Sequence, residues 1–422
     1  MLIQIPRGTY DVMPEDSGVW QKIEEVARET CALFNYKEIR TPIFESTDLF
    51  QRGVGDTTDI VQKEMYNFTD RGERRLTLRP EGTASVVRAF VEHKLYGDPQ
   101  QPVKLYYIGP MFRYERPQSG RNRQFTQFGA EALGSKDPAI DAEMIALALT
   151  FYRKLGLKKL KLVLNSLGDP ESRKAHRDAL INHFKPSIGE FCSDCQERLE
   201  KNPLRILDCK KDHGHPLMAT APSIIDYLTD EARDYFEQVK LTLDAIGITY
   251  ELDPTLVRGL DYYNHTTFEI MGATGSAIST LAGGGRYNGL VSELGGPETA
   301  GVGFALSIER LLIALESEGI TLQTGNQLDC YLAAIGAEAE KKAAVLLHQL
   351  RQNGIRADKD YLGRKVKGQF KAADREQAAY VLVIGDEELA NGQANVKNMT
   401  DGSQERVAFD EVSTYLKNKI NH

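Results

Sequence analysis

Cysteine is scarce in this chain. There are five in 422 residues, an odd number spread unevenly, which suits a reducing compartment better than a disulfide framework. Long apolar runs are lacking as well: "MIALALTFY" at 144–152 is among the most apolar stretches and is too short to span a bilayer. The opening residues, MLIQIPRGTYDVMPED, have no apolar core of the kind a secretory signal needs. The expectation is a cytoplasmic protein without membrane contact. An excess of basic charge is also missing, since 52 Lys and Arg stand against 60 Asp and Glu, for a net charge of −8. Non-specific adhesion to nucleic acid is therefore disfavoured, and only a local basic groove is left open.

Several catalytic signatures are absent too. No Ser-His-Asp or Cys-His order stands out, and there is no HExxH. "AGGGRYNGL" (282–290) lacks the third glycine of a dinucleotide loop at Asn288. "GRKVKGQF" (363–370) has Gly363 and Gly368 at phosphate-loop spacing but Gln369 where the lysine must stand. What remains is chemistry by charge and position, without a nucleophilic side chain.

Composition is that of a globular protein, with 41% hydrophobic and 27% charged residues, and the length suits two or three domains. The pattern predicts a helix over 18–35, then a strand over 36–45 interrupted by Pro42. Residues 75–93 read as strand, a turn at Pro80–Gly82, and a helix from Thr83. "VKLYYIGPMFRYE" and "QFTQFGAEALG" flank an arginine-rich connection and predict an antiparallel hairpin. A helix follows from Asp141 to Leu155, stopped by Gly156. Residues 168–228 have no clear strand signal and read as a mostly helical insertion; strand signal resumes over 248–272 and 279–291, and 301–315 reads as strand into helix. A polar segment at 316–327 predicts a linker. Beyond it, strands at 329–335, 355–357 and 380–385 alternate with helices at 338–353, 366–375 and 411–419, a small α/β domain with a mainly parallel sheet.

Four arginines crowd FRYERPQSGRNRQF (112–125): Arg113, Arg116, Arg121 and Arg123. They stay charged at any ordinary pH and call for anions. On the following strand, period two puts Gln127, Gly129 and Glu131 on one face, an amide and a carboxylate beside a glycine that leaves room for a ligand, or else a solvated sheet face. Glu81 in "RPEGT" reads equally as a ligand contact or as a carboxylate at a helix start. "LVRGLDYYN" (256–264) places Arg258 beside Asp261, Tyr262 and Tyr263, as a site or a buried salt bridge. Arg310 in "FALSIERLLIAL" sits on a helix apolar almost all round and needs an anionic partner from elsewhere. Cys192, Cys195, Cys209 and His213, with His215 near, form a weak zinc candidate of three cysteines and one histidine, or surface thiols.

Taken together, these stretches resemble the class II aminoacyl-tRNA synthetases, and within them the histidine-specific family. "YKEIRTPIFE" resembles the first class motif, with Pro42 at a dimer interface. "FRYERPQSGRNRQFTQFGAE" resembles the second, with Arg113 on its first strand, and "GVGFALSIERLL" the third, ending in Arg310. "LVRGLDYYN" and "AGGGRYNGL" are the histidine-specific pair.

The resemblance implies an α+β fold. A six-stranded antiparallel sheet flanked by helices would occupy 1–325, with the helical insertion at 168–228 inside it, and an α/β anticodon-binding domain would occupy 328–422. It implies a homodimer, ATP with Mg2+ as substrate and no organic cofactor, and L-histidine and tRNA(His) as partners. It implies Arg113 and Arg258 as catalytic residues at the α-phosphate, and Arg310, Arg121 and Arg123 on the outer phosphates. Glu81, Thr83 and Gln127 would bind the histidine ammonium and Glu131 and Tyr263 its imidazole, with Gly82, Tyr262 and Tyr287 completing the pocket. Arg364, Lys365, Lys367, Lys371 and Arg375 would offer a basic patch to RNA, or a solvated helix face. Other readings are a catalytically inactive paralogue that regulates ATP phosphoribosyltransferase, a class II enzyme for another amino acid, and a zinc-bearing RNA-binding protein.

Overall fold

The computed structural model describes residues 2–55, 58–274, 277–323 and 328–420. The chain divides into two compact units, Met1–Leu322 and Gln323–His422.

The first unit opens with helix α1 (Pro14–Leu33), four residues earlier than its apolar spacing predicts, because Pro14 at the first turn starts a helix without losing a hydrogen bond. The predicted 36–45 strand is in fact two: β1 (Lys37–Glu38) and β2 (Phe44–Ser46), in different sheets on either side of Pro42. Helix α2 (Thr47–Val54), strands β3 (Tyr66–Thr69) and β4 (Arg75–Leu78), and helix α3 (Thr83–Glu92) follow. Strands β5 (Val103–Phe112) and β6 (Gln124–Leu133) form the expected hairpin, then come α4 (Ala139–Lys154) and β7 (Leu160–Ser166). The insertion is built of α5 (Pro170–Phe184), α6 (Ser193–Lys201), the short α7 (Pro216–Ala219) and 3-10 turns. Helix α8 (Asp230–Ala245) leads to β8 (Glu251–Leu252), β9 (Asn264–Thr274), β10 (Ala277–Arg286), α9 (Leu290–Glu293), β11 (Gly301–Ser307) and α10 (Ile308–Ser317). Residues 316 and 317, assigned to a linker on sequence, still belong to α10, and 324–327 lie outside the described residues.

The large sheet runs β1-β5-β6-β11-β10-β9-β7-β8. Its six central strands are antiparallel throughout, and the two-residue edge strands β1 and β8 add in parallel. One face carries the core. Phe128 sits at its centre, edge-on to Phe151 at 4.9 Å and Phe304 at 5.7 Å, among buried residues of α1, α4, α8 and α10. Truncating such a ring costs about 3–5 kcal/mol. Arg286, fully buried, donates to Asp141 at 2.5 Å and to the Ser135 carbonyl at 2.9 Å, tying β10 to α4.

The second unit has a five-stranded sheet of β12 (Cys330–Ala334), β13 (Ala357–Lys359), β14 (Tyr380–Ile384), β15 (Gln393–Asn398) and β16 (Gln404–Ala408), with helices α11 (Ala337–Gln352), α12 (Val366–Arg375), α13 (Asp386–Asn391) and α14 (Val412–Ile420). Strands β13, β12 and β14 are parallel, but β15 and β16 extend the sheet antiparallel, so it is mixed. These two strands and α13 escape a sequence reading because they are short and half polar, with Gly392 the sharp turn between helix and strand. Gln369, in the near-miss phosphate loop, is buried and bonds Ala334 through both amide atoms, accepting from its N–H at 3.0 Å and donating to its carbonyl at 2.9 Å. Its task is to hold α12 on β12.

Candidate active site

The site lies on the sheet face opposite the aromatic core. Strand register sets its rows. Tyr107, Gly129, Ala305, Gly283 and Glu269 stand side by side across five strands, and the next row is Leu105, Glu131, Gly303, Gly285 and Thr267. Three small residues at the middle of the first row leave a trough. A β-carbon on Gly283 would overlap the Arg258 guanidinium, and one on Gly303 would overlap the Glu131 carboxylate, so glycine is what lets both side chains lie on the backbone.

Over this trough is a cavity of about 160 Å³, lined by Glu81, Thr83, Arg113, Arg121, Gln127, Arg258, Tyr262, Tyr263 and Arg310 among others. Nine residues singled out on sequence thus meet here. A wider cleft of about 1070 Å³ shares Arg113, Arg121, Arg258 and Arg310 and extends towards the helical insertion.

The floor is buried and internally hydrogen-bonded. Glu81 caps α3, accepting from the Thr83 and Ala84 N–H groups at 2.7 and 2.8 Å. The helix-start reading thus holds, and the same side chain lines the cavity. Burial raises its pKa and those N–H donors oppose the rise. Glu131 lies deeper and does not line the cavity. It accepts from Thr83 Oγ1 at 2.7 Å and from the Tyr287 hydroxyl at 2.5 Å, with Tyr107 at 3.5 Å. Burial pushes its pKa up to about 8. Tyr287 and Gly82 likewise sit behind the cavity surface, and a β-carbon on Gly82 would overlap Tyr107. Gln127 lines the cavity and is buried, with its Oε1 unpartnered. Tyr263 is pushed up to about 12 by burial, against the pull of Arg258.

The wall is cationic. Arg113 donates through Nε to the Pro80 carbonyl at 2.9 Å and lies 5.4 Å from the Phe125 ring centroid. Arg258 sits in a loop between β8 and β9, not in the strand expected there, and pairs with Glu269. Its partner is not the adjacent Asp261, which accepts from Asn202. Arg310 donates to the Thr280 carbonyl at 2.8 Å. Its helix is not apolar all round: Ile308, Leu311, Ala314 and Leu315 are buried, whereas Arg310 and its neighbours on that side are half-exposed. Burial lowers the Arg310 pKa, and Arg121 and Arg113 lower it further by like-charge repulsion.

The arginine-rich connection is a tight turn closed by reciprocal Gln118–Arg121 backbone bonds of 3.1 and 2.9 Å, with Gly120 in the left-handed region against Arg310. Arg121 pairs with Glu115 at 3.3 Å, and Arg116 is exposed. Arg123, grouped on sequence with the phosphate-binding arginines, lines neither cavity nor cleft; it stacks on Tyr114 at 3.9 Å and braces the loop.

Sequence reasoning passed over Glu115 and Glu269, the two carboxylates that hold Arg121 and Arg258. Glu269 had a signal, a lone acid among alternating apolar residues in TTFEIMG. The metal candidate needs a correction as well. The atoms that cluster are those of Cys192, Cys195, Cys209 and Asp212, while His213 is exposed. The loop geometry after Cys209 turns Asp212 inward and His213 out.

A family model described as histidyl-tRNA synthetase matches residues 8–311, and one described as an anticodon binding domain matches 329–419. The chain is 66% identical over 422 residues, the full length of both, to a histidine–tRNA ligase of Anoxybacillus flavithermus, and 65% identical over the full length of both to that of a Geobacillus species. Its fold is similar to apo S. aureus histidyl-tRNA synthetase, with a TM-score of 0.85, 53% identity, and coverage of 99% of this chain and 100% of that one. With matches spanning both units, the chain belongs to the histidyl-tRNA synthetase family of aminoacyl-tRNA ligases.

Proposed function

We infer that this chain activates L-histidine with ATP to histidyl-adenylate and diphosphate, then transfers the histidyl group to the 3′ end of tRNA(His), releasing AMP. The observation that carries the reading at the level of the site is one cavity with two characters. A buried floor of carboxylates and tyrosines adjoins a wall on which Arg113, Arg121, Arg258 and Arg310 converge.

The nucleophile of the first step, the histidine carboxylate, is already ionised at neutral pH, so that step needs no general base. Catalysis comes from alignment and from charge placed where the α-phosphate gains it. Arg113 and Arg258 take that role. Arg310 and Arg121 hold the outer phosphates. A bound polyanion would relieve the mutual repulsion among these arginines. Gln127 Oε1 lacks a donor and Glu81 is a carboxylate at the same cavity, so together they suit the substrate ammonium. Tyr263 and, behind Thr83, Glu131 suit an imidazole, which needs a donor and an acceptor on opposite sides. A site made of such pairs rejects apolar analogues by about 10⁴ or more.

ATP arrives as its magnesium complex, in which the ion neutralises phosphate charge. Glu115 and Glu269 are acids on this wall and are engaged by arginines, which fits an ion that comes with the nucleotide. Lys365, just before α12, and Lys367, Lys371 and Arg375 on it are exposed and suit RNA phosphates, while Arg364 is paired with Asp360 at 3.0 Å. Ile43, Phe44 and Phe68 are exposed around Pro42, as a homodimer interface there would require.

Pyrophosphate exchange into ATP across a panel of amino acids, without tRNA, tests the reading. Exchange with histidine alone is expected. No exchange at saturating histidine and magnesium would overturn it and favour the inactive paralogue.

A further inference from the structure

We propose that the helical insertion holds a structural zinc ion, bound by Cys192, Cys195, Cys209 and Asp212. Their four ligand atoms all lie within 4.8 Å of one another. Zinc–sulfur bonds of about 2.3 Å in a tetrahedron put two sulfurs about 3.8 Å apart, and the Cys192 and Cys209 sulfurs are 3.7 Å apart. A zinc–oxygen bond of about 2.0–2.2 Å makes the sulfur–oxygen edge about 3.5 Å, and Cys209 Sγ lies 3.4 Å from Asp212 Oδ2. The cysteines are free thiols, and a disulfide would need its sulfurs at about 2.05 Å.

The backbone is built to present this set. Cys192 precedes α6, and the Cys195 N–H donates to its carbonyl at 2.9 Å, a turn that brings both sulfurs to one side. The Cys209 N–H donates to the Ile206 carbonyl at 3.0 Å in a second turn. The Cys192 N–H donates to Asp212 Oδ2 at 3.1 Å and so orients the carboxylate, as an outer partner orients a metal ligand. Cys195 and Cys209 are buried among Leu180, Phe184, Phe191 and Ile206. With four protein ligands and no open position, the site is of the structural kind.

The insertion also needs such a clip. It has no strand over 168–228 and a small core of its own, and small cores are commonly stapled by a metal. The segment fixed by Cys209 and Asp212 carries Arg205, Lys210 and Lys211 on the cleft that Arg121 and Arg310 also line. The ion would therefore fix a wall of mixed charge, in which Lys211 pairs with Asp194 and Arg205 with Asp59, on the cleft that the arginine-rich turn also lines.

Elemental analysis of the full chain, purified without chelator and under reducing conditions, should find one zinc per chain. Cobalt substitution should give thiolate-to-metal charge-transfer bands. Cys209→Ser should abolish both. Asp212→Ala, at a half-buried position that leaves the thiols intact, should weaken zinc affinity by more than the about 10–100-fold typical of an outer-shell partner, and His213→Ala should leave it unchanged. Absence of zinc from the wild-type chain, even after addition of zinc to the reduced protein, would overturn the site. Loss in His213→Ala with retention in Asp212→Ala would overturn the ligand set.

Discussion

The floor and the wall of the cavity are both rich in ionisable groups, yet they are held in opposite ways. Glu81 and Glu131 on the floor are satisfied by short bonds from backbone and hydroxyl donors. Burial favours their neutral forms, most strongly for Glu131. The wall arginines are held by backbone carbonyls and by Glu115 and Glu269, and they repel one another. A preorganised floor can read a small ring with little reorganisation, while a mutually repelling wall gains most when a polyanion arrives. On the proposed function, binding selectivity and rate acceleration would be served by separate halves of one cavity.

The largest effect that would sharpen this contrast is on the wall. Arg258→Ala should slow adenylate formation by about 10²–10³ or more, as loss of a preorganised charge stabiliser does. Part of that loss should come from Glu269 left unpaired, so adding Glu269→Gln should restore some exchange rate. Near-normal kcat in the single variant would end the assignment of Arg258.

Next is the floor. Glu131→Gln should raise the KM for histidine by about 10-fold or more, the cost of leaving one buried polar group unsatisfied, and leave the KM for ATP nearly unchanged. Equal effects on both substrates would make Glu131 structural only and erase the division.

The same residue should leave a mark on stability. Its folded pKa, about 8, lies above the ordinary carboxylate value of 4.5, so between the two the folded chain binds more protons than the unfolded one. Stability therefore falls as pH rises across that window, by at most about 1.4 kcal/mol per pH unit, and levels off above it. Denaturant unfolding from pH 5 to 8 should show this slope, reduced in Glu131→Gln; an unchanged slope in the variant would place the proton elsewhere.

The smallest effect separates two neighbours on the turn. Arg121→Ala should weaken ATP binding several-fold. Arg123→Ala should do little to ATP and cost about 0.5–1 kcal/mol through its stack on Tyr114. Equal losses of ATP affinity would return Arg123 to the wall.

Much of this site was legible before any coordinates because strand alternation is local. Period two alone put Gln127, Gly129 and Glu131 on one face, and the hairpin register agrees. Residue chemistry alone marked Arg113, Arg258 and Arg310 as groups in need of anions. Glu269 was not legible as the partner of Arg258, because the nearer Asp261 offered the same charge and only the path of the β8–β9 loop chose between them. Arg123 was indistinguishable from Arg121, since a two-residue offset in a turn can reverse a side chain's direction.

The sequence by itself therefore determined most of the elements, the face that Gln127, Gly129 and Glu131 share, and which family the motifs resemble. Only the tertiary structure decided the pairings: Thr83 and Tyr287 on Glu131, 48 and 156 residues away, Glu269 on Arg258, and Asp212 in place of His213 beside the three cysteines. Periodicity and composition are set by neighbours along the chain. Hydrogen bonds and metal-ligand geometry depend on distances of a few tenths of an ångström between segments that meet only when the sheet closes over its core.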